Sequence, residues 1–285
     1  MPLASVIVPT RERLASLRTA LGALERQQDE GRFELIVVDD GSADGTGAFL
    51  AARAAQGALV HVEGEGRGAA AARNAGIRRA RGEIIACTDD DCEVPPDWVA
   101  RLRDRLVDTG AAAVGGRVVA APDAPRPARI SQAITNGIAR SFNESGTAPF
   151  LTSNNVAYRA DALRGAGLFD EGFGAAGGEE RDLHERLRAR GERLVYAPDI
   201  VVTHRPRMGW GGFVRQQSTY GRGARRYYGH RHDAGARSRM GPLQYLRAFA
   251  AALDEAVPED RAALAFGLPL SQAAVAWGYL RAPRP

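Results

Sequence analysis

Three consecutive carboxylates, Asp89-Asp90-Asp91, directly follow the apolar run Glu83-Ile84-Ile85-Ala86-Cys87-Thr88. A strand that ends in clustered carboxylates gathers negative charge at a loop edge, where a cation relieves the repulsion. Hard divalent ions such as Mg²⁺ and Mn²⁺ prefer oxygen donors, and held by one or two carboxylates they commonly bridge to phosphates. The cluster therefore reads either as a site for a phosphorylated substrate or as a solvated acidic turn.

The elements around it favour the first reading. Ser5-Val6-Ile7-Val8-Pro9 has the pattern of a buried strand, and Leu14, Leu17, Leu21 and Leu24 then recur at helical spacing. Leu35-Ile36-Val37-Val38 is a second strand ending at Asp39-Asp40-Gly41-Ser42, with Ser42 or Asp44 available to cap the next helix. Leu59-Val60-His61-Val62 is a third, followed by a glycine turn and an Ala-rich helix from Ala69 to Arg81. The strand that ends at the aspartates is the fourth, and Trp98, Leu102 and Leu106 mark a helix behind Pro95-Pro96. Such alternation implies a parallel sheet covered on both faces, with ligands beyond the carboxyl ends of the strands. Asp40 and the triple Asp both fall there. The turn Gly64-Glu65-Gly66-Arg67-Gly68 imitates a dinucleotide-binding loop, but it follows the third strand and carries an acid and a base. It reads better as a mobile loop beside a nucleotide pocket.

Composition sets wider bounds. The chain has 285 residues, enough for one large α/β domain or a domain with an appendage. All 38 basic residues are arginine, so single arginines carry little weight by themselves. Cys87 and Cys92 fit neither a disulfide framework nor a zinc pair, which implies reduced thiols and a cytoplasmic chain. The N-terminus enters a strand without a basic and apolar leader, so no secretory signal is expected.

The ordered motifs resemble the family 2 glycosyltransferases of the GT-A fold. Val6 to Thr10 and Val37 to Thr46 are similar to the family's opening; Gly68 and Arg73 to Ile77 follow, then Thr88-Asp89-Asp90-Asp91-Cys92 with Pro96-Asp97-Trp98 behind it, like the family's Asp-x-Asp segment. Ser153 to Arg159, Gly167 to Glu171 and Gly177-Gly178-Glu179-Glu180-Arg181-Asp182-Leu183 resemble the acceptor-side segments and the Glu-Asp motif at the head of a helix. The resemblance covers roughly residues 3 to 228. It implies a Rossmann-like, mostly parallel sheet flanked by helices, with a C-terminal helical extension. The implied partition is a nucleotide-sugar-binding half over 1–116, an acceptor and catalytic-base half over 117–208, and the extension over 209–285.

It also implies a site. Thr10 would touch base and ribose, Asp40 would hydrogen-bond the base, and Arg73 would meet base or phosphate. Asp89 and Asp91 are the two acids of Asp-x-Asp, Asp91 being the preferred metal ligand for Mn²⁺ or Mg²⁺. Asp90 is either solvated or a ribose contact. His204, after Ile200 to Thr203, stands where many relatives place a histidine and is a third ligand by that likeness. Glu180, where the family has Asp, is the expected general base, with Glu179 in reserve. Asn154, Asn155 and Asp182 are expected on the acceptor side, although Asp182 serves equally to hold the helix start. Asp39 and Asp44 read as turn formers and caps. His61 and His184 read as structural.

The implied activity is metal-dependent, inverting sugar transfer from a UDP- or GDP-sugar to an acceptor hydroxyl. The acceptor is a cell-surface glycan, a lipid-linked intermediate or a small metabolite. The alternative is a non-catalytic protein of the same fold that binds a nucleotide sugar or anionic lipid. From Arg205 to Arg239 nine arginines stand against Asp233 alone, interleaved with Trp210, Phe213, Tyr220, Tyr227 and Tyr228. This suits an anionic membrane face or a polyprenyl phosphate better than nucleic acid, and equally a helix packed with its arginines outward. Ala262 to Leu280 carries no charge; Pro269, Ser271 and Gln272 favour a packed or interfacial helix, or a contact between copies of the chain, over a span. Pro122, Pro125 and Pro127 read as a loop.

Overall fold

The computed structural model describes residues 4–28, 32–143, 150–174, 177–229 and 242–283. Strands and helices alternate at first: β1 (Ala4–Thr10), α1 (Leu14–Leu24), β2 (Phe33–Asp39), α2 (Thr46–Ala55), β3 (Val60–Glu63), α3 (Ala69–Arg79) and β4 (Ile84–Cys87). Then come β5 (Cys92–Glu93), α4 (Trp98–Thr109), β6 (Ala113–Ala120), α5 (Arg126–Asn143), β7 (Val156–Arg159), α6 (Ala160–Gly165), α7 (Glu179–Ala189) and β8 (Leu194–His204). Three helices close the chain: α8 (Trp210–Gly229), α9 (Pro242–Glu255) and α10 (Arg261–Arg281).

One eight-stranded sheet has the order β3-β2-β1-β4-β7-β6-β8-β5. From β3 to β4 the pairing is parallel, with Ile7 between Ile36 and Cys87. Beyond β4 the β4–β7, β6–β7 and β5–β8 pairs are antiparallel. The expected α/β class with a helical C-terminal region is therefore present, its parallel half continued by an antiparallel one. The apolar runs are continuous because both faces are covered. Alternate residues serve opposite cores: Val6, Val8 and Val37 pack with Leu17, Trp98 and Leu102, whereas Ile7, Ile36 and Val38 pack with Ile77, Tyr158 and Phe169.

The chain divides into two compact units. One takes in Met1–Val118, Leu151–Ala175 and Glu180–Arg205, and holds most of the sheet. The other takes in Val119–Phe150, Ala176–Glu179 and Pro206–Pro285, and is built on α5, α8, α9 and α10. Its core joins Ile130, Ile134, Phe213, Ala252 and Leu264, and buried Asp260 is clasped by Arg126 at 3.0 Å and Arg129 at 2.6 Å. The proline segment read as a loop is partly helical, since α5 already contains Pro127. Proline is tolerated in a first turn, whose amides have no intrahelical partner anyway.

Candidate functional site

The carboxyl edge of the parallel strands assembles the acids within the first unit. β1 ends at Thr10, whose hydroxyl donates to Asp90 Oδ2 at 2.7 Å. Asp90 is buried, so of its two expected settings the solvated one does not hold, and its carboxylate turns to Thr10 and to Arg13. Arg13 Nη1 bridges two acids, at 3.2 Å from Asp90 Oδ1 and 2.8 Å from Asp91 Oδ2. Burial pushes the Asp90 carboxyl up to about 6, against the opposing pull of Arg13.

Asp91 is joined to a distant strand. β5 pairs antiparallel with β8 so that Cys92 lies opposite His204, and Arg205 N donates to Asp91 O at 2.7 Å. This register brings His204 Nε2 to 3.2 Å from Asp91 Oδ1. Burial opposes charge on both groups, but their mutual hydrogen bond outweighs it: Asp91 is held below the usual carboxylate range and His204 above the usual imidazole range. A buried carboxylate oxygen beside an imidazole nitrogen is a donor set that suits Mn²⁺, so the residues present fit such an ion. Cys92 Sγ lies in the same group of donor atoms. Burial first, and Asp91 next, keep its thiol protonated, which makes it a poor ligand.

Asp89 leans the other way. Its Oδ1 accepts from Arg73 Nη2 at 2.8 Å, and the buried Arg73 guanidinium also lies 5.9 Å from the Phe169 ring centroid. Nearby, Thr88 Oγ1 donates to the Asn154 carbonyl at 3.0 Å, which sets Asn154 beside the cluster. Asn154 Oδ1 is buried with no protein partner, a polar atom left available to a ligand.

Other expected residues have structural duties. Asp40 accepts from the backbone amides of Gly66 at 2.9 Å, Arg67 at 3.2 Å and Gly68 at 2.8 Å, so its carboxylate organises the glycine turn. Gly64 admits no Cβ there, because one would sit 2.9 Å from Asp40 Oδ1. Asn155 is fully buried: its amide donates to the carbonyls of Arg117 and Ile200, both at 2.9 Å, and accepts from Trp98 Nε1 at 2.9 Å. It faces no acceptor. Asp182 pairs with Arg186 one turn on, at 2.7 Å. Asp39 accepts from Ser42 N, and Asp44 accepts from the first amides of α1 and α2, as turn former and cap. Glu179, buried, and Glu180, half-buried, open α7. Arg13 escaped the sequence reading because arginine is everywhere in this chain; its position three residues past Thr10 was the available signal. His230 and His232 lie outside the described residues.

Comparison with known proteins gives the family and the fold. Residues 5–166 match the sequence profile of glycosyl transferase family 2. Glycosyltransferase AglE of Haloferax volcanii is 29% identical over 230 residues, spanning 78% of this chain and 73% of that one. The pre-mycofactocin glycosyltransferase of Mycobacterium tuberculosis is 28% identical over 224 residues, 76% of this chain but 46% of its own length, so the chain spans under half of that relative. Among solved structures, the mannosyltransferase PcManGT from Pyrobaculum calidifontis, in complex with GDP-Man and Mn²⁺, superposes with a TM-score of 0.68 at 22% identity, covering 98% of this chain and 86% of that one. Because the profile covers more than half of its length, the chain belongs to glycosyl transferase family 2. It is a glycosyltransferase with the GT-A fold.

Proposed function

We propose that this glycosyltransferase moves a sugar from a UDP- or GDP-linked donor to an acceptor hydroxyl by single displacement, with inversion at the anomeric carbon. The observation that carries the reading is the Asp91–His204 pair, 3.2 Å apart at the carboxyl edge of a parallel sheet whose first strand ends in Thr10. The binding of GDP-Man and Mn²⁺ in a structurally similar mannosyltransferase supports it.

In this reading Thr10, Arg73, Asp89 and Asp90 form the nucleotide side, and Asp40 shapes the glycine turn beside it. Asp91 and His204 would hold Mn²⁺ or Mg²⁺, which would supply Lewis-acid stabilisation to the departing diphosphate, while Asp89, expected as a further ligand, is engaged with Arg73. Arg73, fixed by Asp89, adds positive charge without having to reorganise. Glu180 takes the proton of the acceptor hydroxyl as its oxygen bonds to the anomeric carbon and the bond to the diphosphate breaks; Glu179 is the reserve. Asn154, whose buried amide oxygen has no protein partner, is our choice of acceptor-side contact.

The acceptor belongs to one of three classes: cell-surface glycan, lipid-linked intermediate or small metabolite. We place the chain in the cytoplasm, with the exposed Arg215, Arg222, Trp210 and Tyr220 of α8 meeting anionic headgroups at the inner face of the membrane, Phe213 and Tyr227 being buried in the unit instead.

Glu180→Gln tests the chemistry. It keeps the size of the side chain and removes the base, so kcat should fall by about 10²–10⁴-fold with donor binding intact. Undiminished transfer would remove Glu180 as the base and move the test to Glu179→Gln. A wild-type protein that binds nucleotide sugars yet turns over none would favour a pure binding protein.

A further inference from the structure

The two last helices are built inside out. Along α10 the residues at helical spacing that face outward are Phe266, Pro269, Ala273, Trp277 and Leu280, and Phe266, Trp277 and Leu280 are 62%, 55% and 75% exposed. Its fully buried positions are mostly small, Gly267, Ser271, Ala274 and Gly278 beside Leu264, with Leu268 and Leu270 half-buried against the same core. Gly278 is pressed on the Ser218 carbonyl and Gly221 of α8 on the Val275 carbonyl, with no room for a Cβ at either. On α9 the same inversion recurs. Leu243, Leu246 and Leu253 point outward, Leu246 being 64% exposed, while Ala248, Ala251 and Ala252 are buried. Gly137 of α5 backs directly onto the Ala248 carbonyl.

A helix packed in water places its large apolar residues inward. Small residues at the helix contact and large apolar ones outside are the arrangement of helices whose solvent is lipid. Among the described residues, α10 and the turn before it form the one helix long and apolar enough to cross a membrane. It cannot do so while packed as it is, because α8, against which its glycines are pressed, exposes Arg215 and Arg222. Such a helix lies flat. The exposed charges at the two ends of the α10 stripe are both arginines, Arg261 and Arg281, and the Arg281 guanidinium stacks 4.0 Å from the Trp277 ring. Within α10 no acid offsets them, Glu259 lying in the turn before it; headgroup phosphates would pair with both arginines.

We propose that the outer faces of α9 and α10 embed in the acyl boundary of an anionic bilayer, making the chain monotopic. This deepens the headgroup contact proposed above and rests on it, and the two are separable by salt.

The full-length protein is floated with vesicles of phosphatidylcholine alone and of phosphatidylcholine with phosphatidylglycerol. Wild type should float with the anionic vesicles, keep a bound fraction in 1 M salt, and show Trp277 emission quenched by lipids brominated on the acyl chain. Trp277→Phe should lower that quenching, the remainder coming from Trp210, which packs against Phe266. Leu246→Ser/Leu280→Ser should lower partitioning by at least about tenfold with an unchanged urea transition. Complete release by salt without acyl-chain quenching would overturn insertion and leave only headgroup adsorption. Flotation of the double variant equal to wild type would also overturn it. So would failure of wild type to bind either vesicle, including the case where it forms a concentration-dependent dimer that the variant abolishes.

Discussion

At the scale of residues, the three aspartates divide their labour by neighbour. Asp89 is tied to Arg73, Asp90 to Thr10 and Arg13, and Asp91 to His204 and Arg13. Like charges this close repel; each acid has one donor of its own, and Asp90 and Asp91 share Arg13 as well. Only Asp91 sits against an imidazole, so the metal reading stands or falls on it. Asp91→Ala should erase the Mn²⁺ dependence of UDP or GDP affinity measured by titration calorimetry, and reduce transfer by about 10²-fold or more. Equal affinity with and without Mn²⁺ in wild type would end the metal assignment.

At the scale of elements, the antiparallel half of the sheet is what carries His204 to Asp91. The two-residue strand β5 sets that register, and Asn155 secures the same region by tying Trp98 of α4 to the carbonyls of Arg117 and Ile200. Asn155→Ala removes three hydrogen bonds from an enclosed region and should destabilise the protein by about 2–4 kcal/mol in urea unfolding. Because the side chain is wholly enclosed, KM for donor and acceptor should stay unchanged in the folded fraction; a selective rise in acceptor KM would return Asn155 to the acceptor side. The resemblance marked Asn155 as part of a motif, but whether such a residue meets substrate or holds the scaffold depends on which way its amide points.

At the scale of the whole molecule, acid sensitivity has a named source. His184 on α7 shares a 2.8 Å hydrogen bond with the Tyr158 hydroxyl, and burial, with Arg188 and Arg186 adding to it, pushes the imidazole from an ordinary 6.5 down to about 3. Between those values the unfolded chain holds a proton that the folded chain refuses, so stability rises with pH across the window and is fully present above 6.5. The loss on acidification is at most about 1.4 kcal/mol per pH unit. Urea unfolding should therefore show wild type losing about 2 kcal/mol more than His184→Gln between pH 6.5 and pH 5. Parallel pH dependences would disprove the linkage.

Residue order alone carried the first half of this protein a long way. The runs at 5–9, 35–38 and 83–88 name their strands because a strand buried on both faces must be apolar throughout, and the acids that end them mark the carboxyl edge. Motif order identified the family, and with it the Asp-x-Asp site. Spacing could not reveal that the sheet turns antiparallel beyond β4, since strand direction depends on the pairing partner and not on local pattern. Nor could it show that Asp40 serves the glycine turn, that Arg13 clamps Asp90 and Asp91, or that α9 and α10 turn their large side chains outward. Composition says how apolar a helix is; only its packed neighbours decide which face is left for a partner.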